Sequence, residues 1–414
     1  MPTLEPWRKT LYAVAIAQFI ALGGGNLVFP FMPFYVEDLG IHDKGQIALW
    51  SGLLGTATGS MLFIFSPIWG SLADRFGRKP LLMRAYAGAM VTMTLQGLAQ
   101  NVWQLLALRA LQGMFVGTIP AATALVASSA PRQRVAFALG VLQMALFSSQ
   151  FVGPLVGGAL AGSIGIRPTF IGASGFYLIA FLLVYLAVEE RFVRPTAEER
   201  GSFVGNLRLV VDRRPLLIII GIVFFLNAGP AFVRPIIPLM VDSFDSATSP
   251  ETLSGVAFAA IAITSAFAAL SASRLAGWLG SRNALALTTF GVGAAFVPVA
   301  FATNVPSLLI LIGVVGLFSG GMVPIANTLI DRWAPPGRQA SAFGLAGSAL
   351  ALAFAVAPLS GGAVAAAAGI HASFIVIGVV MALVSVAIMA VVQEAEQPED
   401  ADVPEPEPAA GAAD

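Results

Sequence analysis

Apolar residues in this chain arrive in long runs, not in the period-two alternation of a half-buried strand or the one-sided stripe of a surface helix. Twelve stretches, at roughly 10–36, 46–72, 80–99, 102–127, 135–161, 167–188, 215–241, 251–279, 283–302, 306–330, 339–367 and 371–392, each supply the ~20 mostly apolar residues that a helix needs to cross a bilayer. Polar residues concentrate between the runs, and some connectors are as short as Gln100–Asn101 or Thr303–Val305. A spanning sheet would have to close into a barrel, whose segments alternate over about ten residues; these runs do not. The pattern predicts an all-α integral membrane protein with twelve transmembrane helices. Its first run extends from about Leu11 to Val36, beyond the roughly 7–15 residues of a signal-peptide core, and is read as a retained membrane helix.

The runs repeat. A shift of 204 carries Pro120 onto Pro324, Arg134 onto Arg338, Pro154 onto Pro358 and Gly157-Gly158 onto Gly361-Gly362. A shift of 205 carries Pro30 and Pro33 onto Pro235 and Pro238, and Glu37 onto Asp242. A shift of 203 carries Leu72, Ala73 and Gly77 onto Leu275, Ala276 and Gly280. Shifts that differ by one residue indicate a duplicated six-helix unit with slightly altered loops. Residues 1–188 are therefore expected to form one six-helix bundle and 215–392 a second in the same orientation. Such pseudo-repeats place a transport site near the midplane between the halves. The linker, 189–214, mixes apolar and basic residues in "SFVGNLRLVVDRR", a pattern suited to a short helix on the membrane surface. Residues 393–414 are acidic and rich in Pro and Ala, and are read as a disordered tail.

Charge sharpens this picture. Only 11% of the 414 residues are charged, against about 25% in soluble domains, too few to cover a water-facing surface. With the N-terminus taken as inside, eighteen of the 22 Lys and Arg fall in inner segments. Lys44 and Arg167 lie in outer loops, and Arg109 and Arg234 within helices. This bias predicts that both termini are cytoplasmic. Lys+Arg and Asp+Glu balance at 22 each, so a basic nucleic-acid footprint is missing. No cysteine is present, which removes disulfides and thiolate metal sites. The chain has two histidines and no HExxH, GxSxG or P-loop, leaving little material for an enzyme, a metal centre or an ATP-driven pump.

Several short stretches carry candidate chemistry. "GSLADRFGRKP", residues 70–80, packs Asp74, Arg75, Arg78 and Lys79 between two apolar runs; Gly70 permits close helix approach, and Asp74 suits a helix N-terminus. Arg109 lies about seven residues into its helix, roughly 10 Å deep at 1.5 Å per residue, and Arg234 nearer the outer end of the seventh. Ionisable groups at such depth are functional candidates. Gly153, Pro154, Gly157 and Gly158 combine small-residue packing with a helix bend.

These motifs resemble a known family. "GSLADRFGRKP" is similar to the signature loop between the second and third helices of the major facilitator superfamily. "LALRALQGMFVG" resembles that family's fourth-helix motif. "GVLQMALFSSQFVGPLVGGALAG" resembles the antiporter motif of its drug–proton exporters, with Ser149 in place of their Gly. "MPFYVEDLG", "WSGL" and "GLAQNVWQLLALRAL" look most like bacterial multidrug exporters. The resemblance implies a secondary transporter, not an enzyme. It would work by alternating access as a monomer in the lipid bilayer, exporting small amphipathic compounds against protons, with the proton gradient as energy source and no cofactor.

It further implies a conformational latch of Gly70, Asp74, Arg75, Gly77, Arg78 and Lys79. Asp74 would meet the eleventh helix near Gln339, and Arg75 and Arg78 would pair with Glu189 or Glu190. The second copy, "SRLAGWLGSRN", has Gly277 in place of Asp74, so the latch would be one-sided.

Proton exchange needs a titrating group, yet no Asp or Glu sits in mid-helix. Glu37, which could pair with Arg234 as an outer gate, and Asp331 are the candidates besides Asp74. The substrate cavity is expected to be oily, with Phe29 and the neutral polar groups Asn26, Gln112, Gln143, Gln150, Asn227 and Asn327. Two deep arginines and no deep acid favour neutral or anionic substrates over lipophilic cations. His42 and His371 are expected to be solvated. A transporter dedicated to one metabolite, such as a sugar or organic acid, is the alternative. A non-transporting receptor is less favoured, because it would call for a larger soluble module.

Overall fold

In the first half of the chain, α1 (Pro6–Asn26) stops one turn short of Pro30, whose ring removes a backbone donor. A 3₁₀ turn, Phe29–Phe31, leads into α2 (Met32–Asp38). Then follow α3 (Lys44–Phe76), α4 (Arg78–Gly97), α5 (Val102–Phe115), α6 (Thr118–Ser129), α7 (Val135–Ile164) and α8 (Ile166–Ala187). The second half contains α9 (Arg214–Val233), α10 (Ile237–Asp242), α11 (Pro250–Leu279), α12 (Ser281–Val299), α13 (Val305–Trp333), α14 (Gln339–Ala368) and α15 (Ile370–Val391). The coordinates are a computed structural model, describing residues 5–190, 214–334 and 339–392. The surface helix expected within 189–214 and the tail from 393 therefore lie outside the described residues.

Joined end to end across the breaks, these helices make twelve segments, and no strand occurs among the described residues. Ten segments are long and apolar enough to cross a membrane. The other two, α4 and α12, run 20 and 19 residues and fill the third and ninth places. The count is consistent with the twelve spans expected from the sequence.

The repeat is visible in the backbone. Both Pro pairs break their span, giving α1–α2 and α9–α10. Single glycines turn one helix straight into the next: Gly77 (φ 95°) and Gly280 (φ 78°) are equivalent, as are Gly165 (φ 92°) and Gly369 (φ 88°). A side chain rarely adopts such angles, which is why glycine stands at all four. Packing repeats as well: α1 on α7 matches α9 on α14, α3 on α5 matches α11 on α13, and α4 on α8 matches α12 on α15. The halves meet through α3 on α14 and, equivalently, α11 on α7.

One span departs from the repeat. The fourth was expected as a continuous run over 102–127, but it breaks between α5 and α6 at Gly117 (φ 131°), whereas α13 is unbroken at the equivalent place. The freed carbonyls find donors in neighbouring helices. The Trp69 indole Nε1 donates to Met114 O at 2.6 Å, and Arg84 Nη2 donates to Phe115 O at 3.2 Å. Just past the break, Gln18 of α1 donates to Thr118 O, in the first turn of α6, at 3.0 Å.

Candidate functional site

Two equivalent joints close one end of the space between the halves. On α3, a Cβ at Gly52 would strike the Pro358 carbonyl of α14; on α11, a Cβ at Gly255 would lie 2.5 Å from the Pro154 carbonyl of α7. The reciprocal glycines are equally tight: Gly158 faces Glu251 and Gly255, and Gly362 faces Ala48 and Leu49. Backbone reaches backbone here because neither side carries a side chain, the small-residue packing that membrane helices use. The neighbouring glycines serve a different contact. Gly157 is pressed against Leu27, Gly361 against Phe232 and Gly153 against Gly23 and Asn26, each within its own half. Thus Gly153, Pro154, Gly157 and Gly158 lie between α1 and α11, some gripping the helix's own bundle and others the opposite one.

Polar contacts tie the same end. Thr252 Oγ1 donates to Gly158 O at 3.2 Å, and Leu359 N donates to Thr56 Oγ1 at 3.2 Å. Lys44 Nζ lies 3.6 Å from an Asp242 carboxylate oxygen. Towards the end that carries the 70–80 loop, by contrast, Cβ atoms built at Gly70, Gly140, Gly277, Gly344 and Gly347 meet nothing within 4 Å. The close contacts found between the halves, among the described residues, all involve the other end or the middle. Among the described residues, the close joints between the bundles thus lie away from the 70–80 end.

In this state the 70–80 segment differs from the latch expected for it. Gly70 is exposed with no helix against it, so it makes no close approach here. The Asp74 side chain lies outside the described residues, as do residues 335–338 before α14, so its expected contact near Gln339 is not described. Arg75 and Arg78 form no ion pair with Glu189 or Glu190. Instead the Glu190 carboxylate accepts the backbone N–H groups of Arg78 and Lys79, each at 2.8 Å. The physical reason is the turn at Gly77, which starts α4 abruptly and aims its first donors at the end of α8. Lys79 Nζ completes the joint, donating to Tyr185 O at 3.0 Å and Val188 O at 2.6 Å. The cluster thus ties α4 to α8 within one half.

Arg109 is buried inside the first half. It donates through Nη1 to Gln112 Oε1 at 3.2 Å, which also accepts from Gln96 Nε2 at 3.2 Å, and its Nη2 lies 3.4 Å from Met32 Sδ. Arg109 Nε and Gln96 Oε1 are buried without a hydrogen-bond partner among the described residues. Gln112, expected in the substrate cavity, is committed to this network instead, because its side chain points into the bundle alongside Arg109.

Arg234 stands between the halves. Its guanidinium carbon is 4.1 Å from the centroid of Phe29, on the opposite half, and 5.7 Å from that of Phe354 on α14. The expected pair with Glu37 does not form: Glu37 is exposed beyond the Pro30–Pro33 break, while Arg234 lies inward of Pro235. The ion pair at this end is Lys44–Asp242, and Asp242 is Glu37's repeat equivalent.

The remaining candidates scatter. Gln143 and Gln150 are exposed along α7, Asn327 and Asp331 are exposed on α13, and Asn26 is half-buried. Asn227 bonds its own helix at Val223 O, 2.8 Å. No Asp or Glu is buried among the described residues. His371, expected to be solvated, is exposed, with Nδ1 2.6 Å from Ala300 O just past α12.

Sequence reading missed Lys44–Asp242, Trp69 and Phe354, none of which stands in a motif. It also missed that Ser51-Gly52 repeats as Ser254-Gly255 at a shift of 203, a signal present in the sequence. Both serine hydroxyls are buried at the joints without a hydrogen-bond partner among the described residues.

Comparison with known proteins agrees with this architecture. The family model described as Major Facilitator Superfamily matches residues 14–307 and 223–413. The chain is 34% identical over 377 residues to the multidrug resistance protein MdtG of Dickeya zeae, covering 89% of this chain and 91% of that one. It is 32% identical over 378 residues to MdtG of Proteus mirabilis, covering 90% and 93%. The crystal structure of the nucleoside transporter NupG superposes with a TM-score of 0.76 at 11% identity, covering 92% of this chain and 98% of that one, a likeness of fold. By family model, identity and fold alike, the chain belongs to the major facilitator superfamily of membrane transporters.

Proposed function

We propose that this protein is a drug exporter of a bacterial inner membrane, carrying small amphipathic compounds outward in exchange for protons. Both termini would face the cytoplasm, the working unit would be a single chain, and the proton gradient would supply the energy without a cofactor. The observation that carries this reading is the pair of equivalent joints between the bundles at one end, with no such joint among the described residues at the other. A carrier built from two bundles around such joints can alternate by rocking one bundle on the other. The Lys- and Arg-rich segments lie at the end away from those joints, and with that end cytoplasmic this state would accept substrate from the cytoplasm. The relatives named multidrug resistance protein MdtG, matched over nine-tenths of their length, support drugs as the cargo.

Inside-out vesicles containing wild type, Asp74→Asn or no transporter test this directly. An imposed proton gradient should drive uptake of several amphipathic compounds by wild type, and Asp74→Asn should abolish it. If wild type matches empty vesicles for every amphipathic compound yet takes up one sugar or organic acid, the carrier is dedicated to that metabolite.

A further inference from the structure

We propose that Arg234, beside Phe29 and Phe354, is the binding point for the anionic head of an amphipathic organic anion. This inference rests on the export reading above and assigns a charge class to its cargo. Three features carry it.

The first is position. At a shift of 205, Arg234 is the repeat equivalent of Phe29, and the two face each other across the interface at 4.1 Å. A residue and its own equivalent can meet only close to the pseudo-twofold axis, which is where the substrate path of such a carrier runs. Phe354 is in turn the equivalent of Gln150, so an aromatic ring on one half answers a neutral amide on the other.

The second is the state of the guanidinium. It is half-buried at membrane depth, and no carboxylate pairs with it among the described residues, where the ion pairs are Arg8–Glu5 and Lys44–Asp242. No hydrogen bond from a described residue engages it either. Arg109, in contrast, is buried inside one bundle and spends donors on Gln112. A charge at such depth is costly unless paired, and pairing with a transported anion satisfies it only while cargo is present.

The third is shape. A cation–π contact with Phe29 and Phe354 uses none of the guanidinium's N–H donors for a hydrogen bond. Those donors form a planar fork that matches a carboxylate, sulfonate or phosphate through two parallel hydrogen bonds. The rings of Phe29 and Phe354 then offer apolar surface to the body of the same molecule. Charged head and oily body are both answered at one place.

The test uses three fluorophores that share one aromatic body: dansylglycine, an anion; dansylamide, neutral; and dansylethylenediamine, a cation. Their binding to the full-length protein in lipid nanodiscs is read by fluorescence enhancement, and their uptake by inside-out vesicles. Wild type should bind dansylglycine at least tenfold more tightly than dansylethylenediamine. Arg234→Gln should weaken dansylglycine tenfold or more while leaving dansylamide within twofold, which also shows that the variant is folded. Arg234→Lys, which keeps the charge but loses the fork, should fall between. Equal weakening of all three compounds would make Arg234 a structural clamp and overturn the proposal. So would a dansylglycine affinity that Arg234→Gln leaves unchanged. Gradient-driven uptake insensitive to probe charge and to Arg234→Gln would sink this proposal while leaving the export reading intact. Failure of wild type to bind or move any of the three overturns both.

Discussion

Gly157 and Gly158 are adjacent on α7, yet their replacement should do different things. A methyl at Gly157 runs into the Leu27 carbonyl just past α1, which belongs to the same bundle. A methyl at Gly158 runs into the Glu251 carbonyl and lies 3.0 Å from Gly255 Cα, both in the opposite bundle. Overfilling a packed contact costs about 1–3 kcal/mol. At Gly157 that cost falls on every conformation in which the first bundle is folded. At Gly158 it falls only on the state whose joints are closed, and vanishes when the bundles rock apart. A differential cost of 1–3 kcal/mol moves a two-state equilibrium by about 5- to 150-fold. The gain in helix propensity from Gly to Ala, about 1 kcal/mol, is common to both variants and cancels in the comparison. The chain lacks cysteine, so spin labels can be placed cleanly at Gln46→Cys on α3 and Ala367→Cys on α14, exposed positions at the closed end. Electron–electron distance measurements in nanodiscs should show Gly158→Ala shifting population to longer separations. Gly157→Ala should leave the distances alone and lower the melting temperature. If Gly158→Ala keeps the wild-type distances while melting as early as Gly157→Ala, the division of labour between the two glycines is wrong.

Other consequences are smaller. The Lys44–Asp242 pair is largely solvated, with side chains 62% and 32% exposed, so it contributes about 0–1 kcal/mol to closure. Lys44→Glu should move the population slightly toward the longer spin-label separation, with the Lys44→Asp/Asp242→Lys exchange restoring it, and a population shift above about fivefold would contradict a solvated pair. Gly77→Ala forces a side chain into φ 95° and should cost about 1–3 kcal/mol, seen as a lower melting temperature, with Gly280→Ala behaving alike. Trp69→Phe removes the donor to Met114 O beside the α5–α6 break, a loss of about 1 kcal/mol. Faster amide exchange at residues 114–119 would register it, and unchanged protection would show that the break needs no such support.

How much of this was legible beforehand depends on what each feature rests on. The helical segments, their places in the chain and the duplication follow from run length and residue repeats, because a bilayer demands roughly 20 apolar residues per crossing regardless of neighbours. The one-residue turns at Gly77 and Gly280 could likewise be aligned from the repeat alone. What a side chain meets depends on helix rotation and on which state the carrier occupies, and neither is written in local sequence. Gln112 read as a cavity residue and proved to face inward beside Arg109. Arg75 and Arg78 read as partners for Glu190, whose carboxylate instead takes backbone donors that the Gly77 turn delivers to it. Arg234 read as half of an outer gate with Glu37; the proline breaks place the two at different depths, and only the meeting of the bundles sets Phe29 beneath its guanidinium. Sequence determined the twelve-segment, twice-built scaffold through hydrophobic length and repetition. The tertiary structure decided which glycines join the halves and which charge stands between them, because those contacts arise between residues about 100–310 positions apart that touch only when two folded bundles meet.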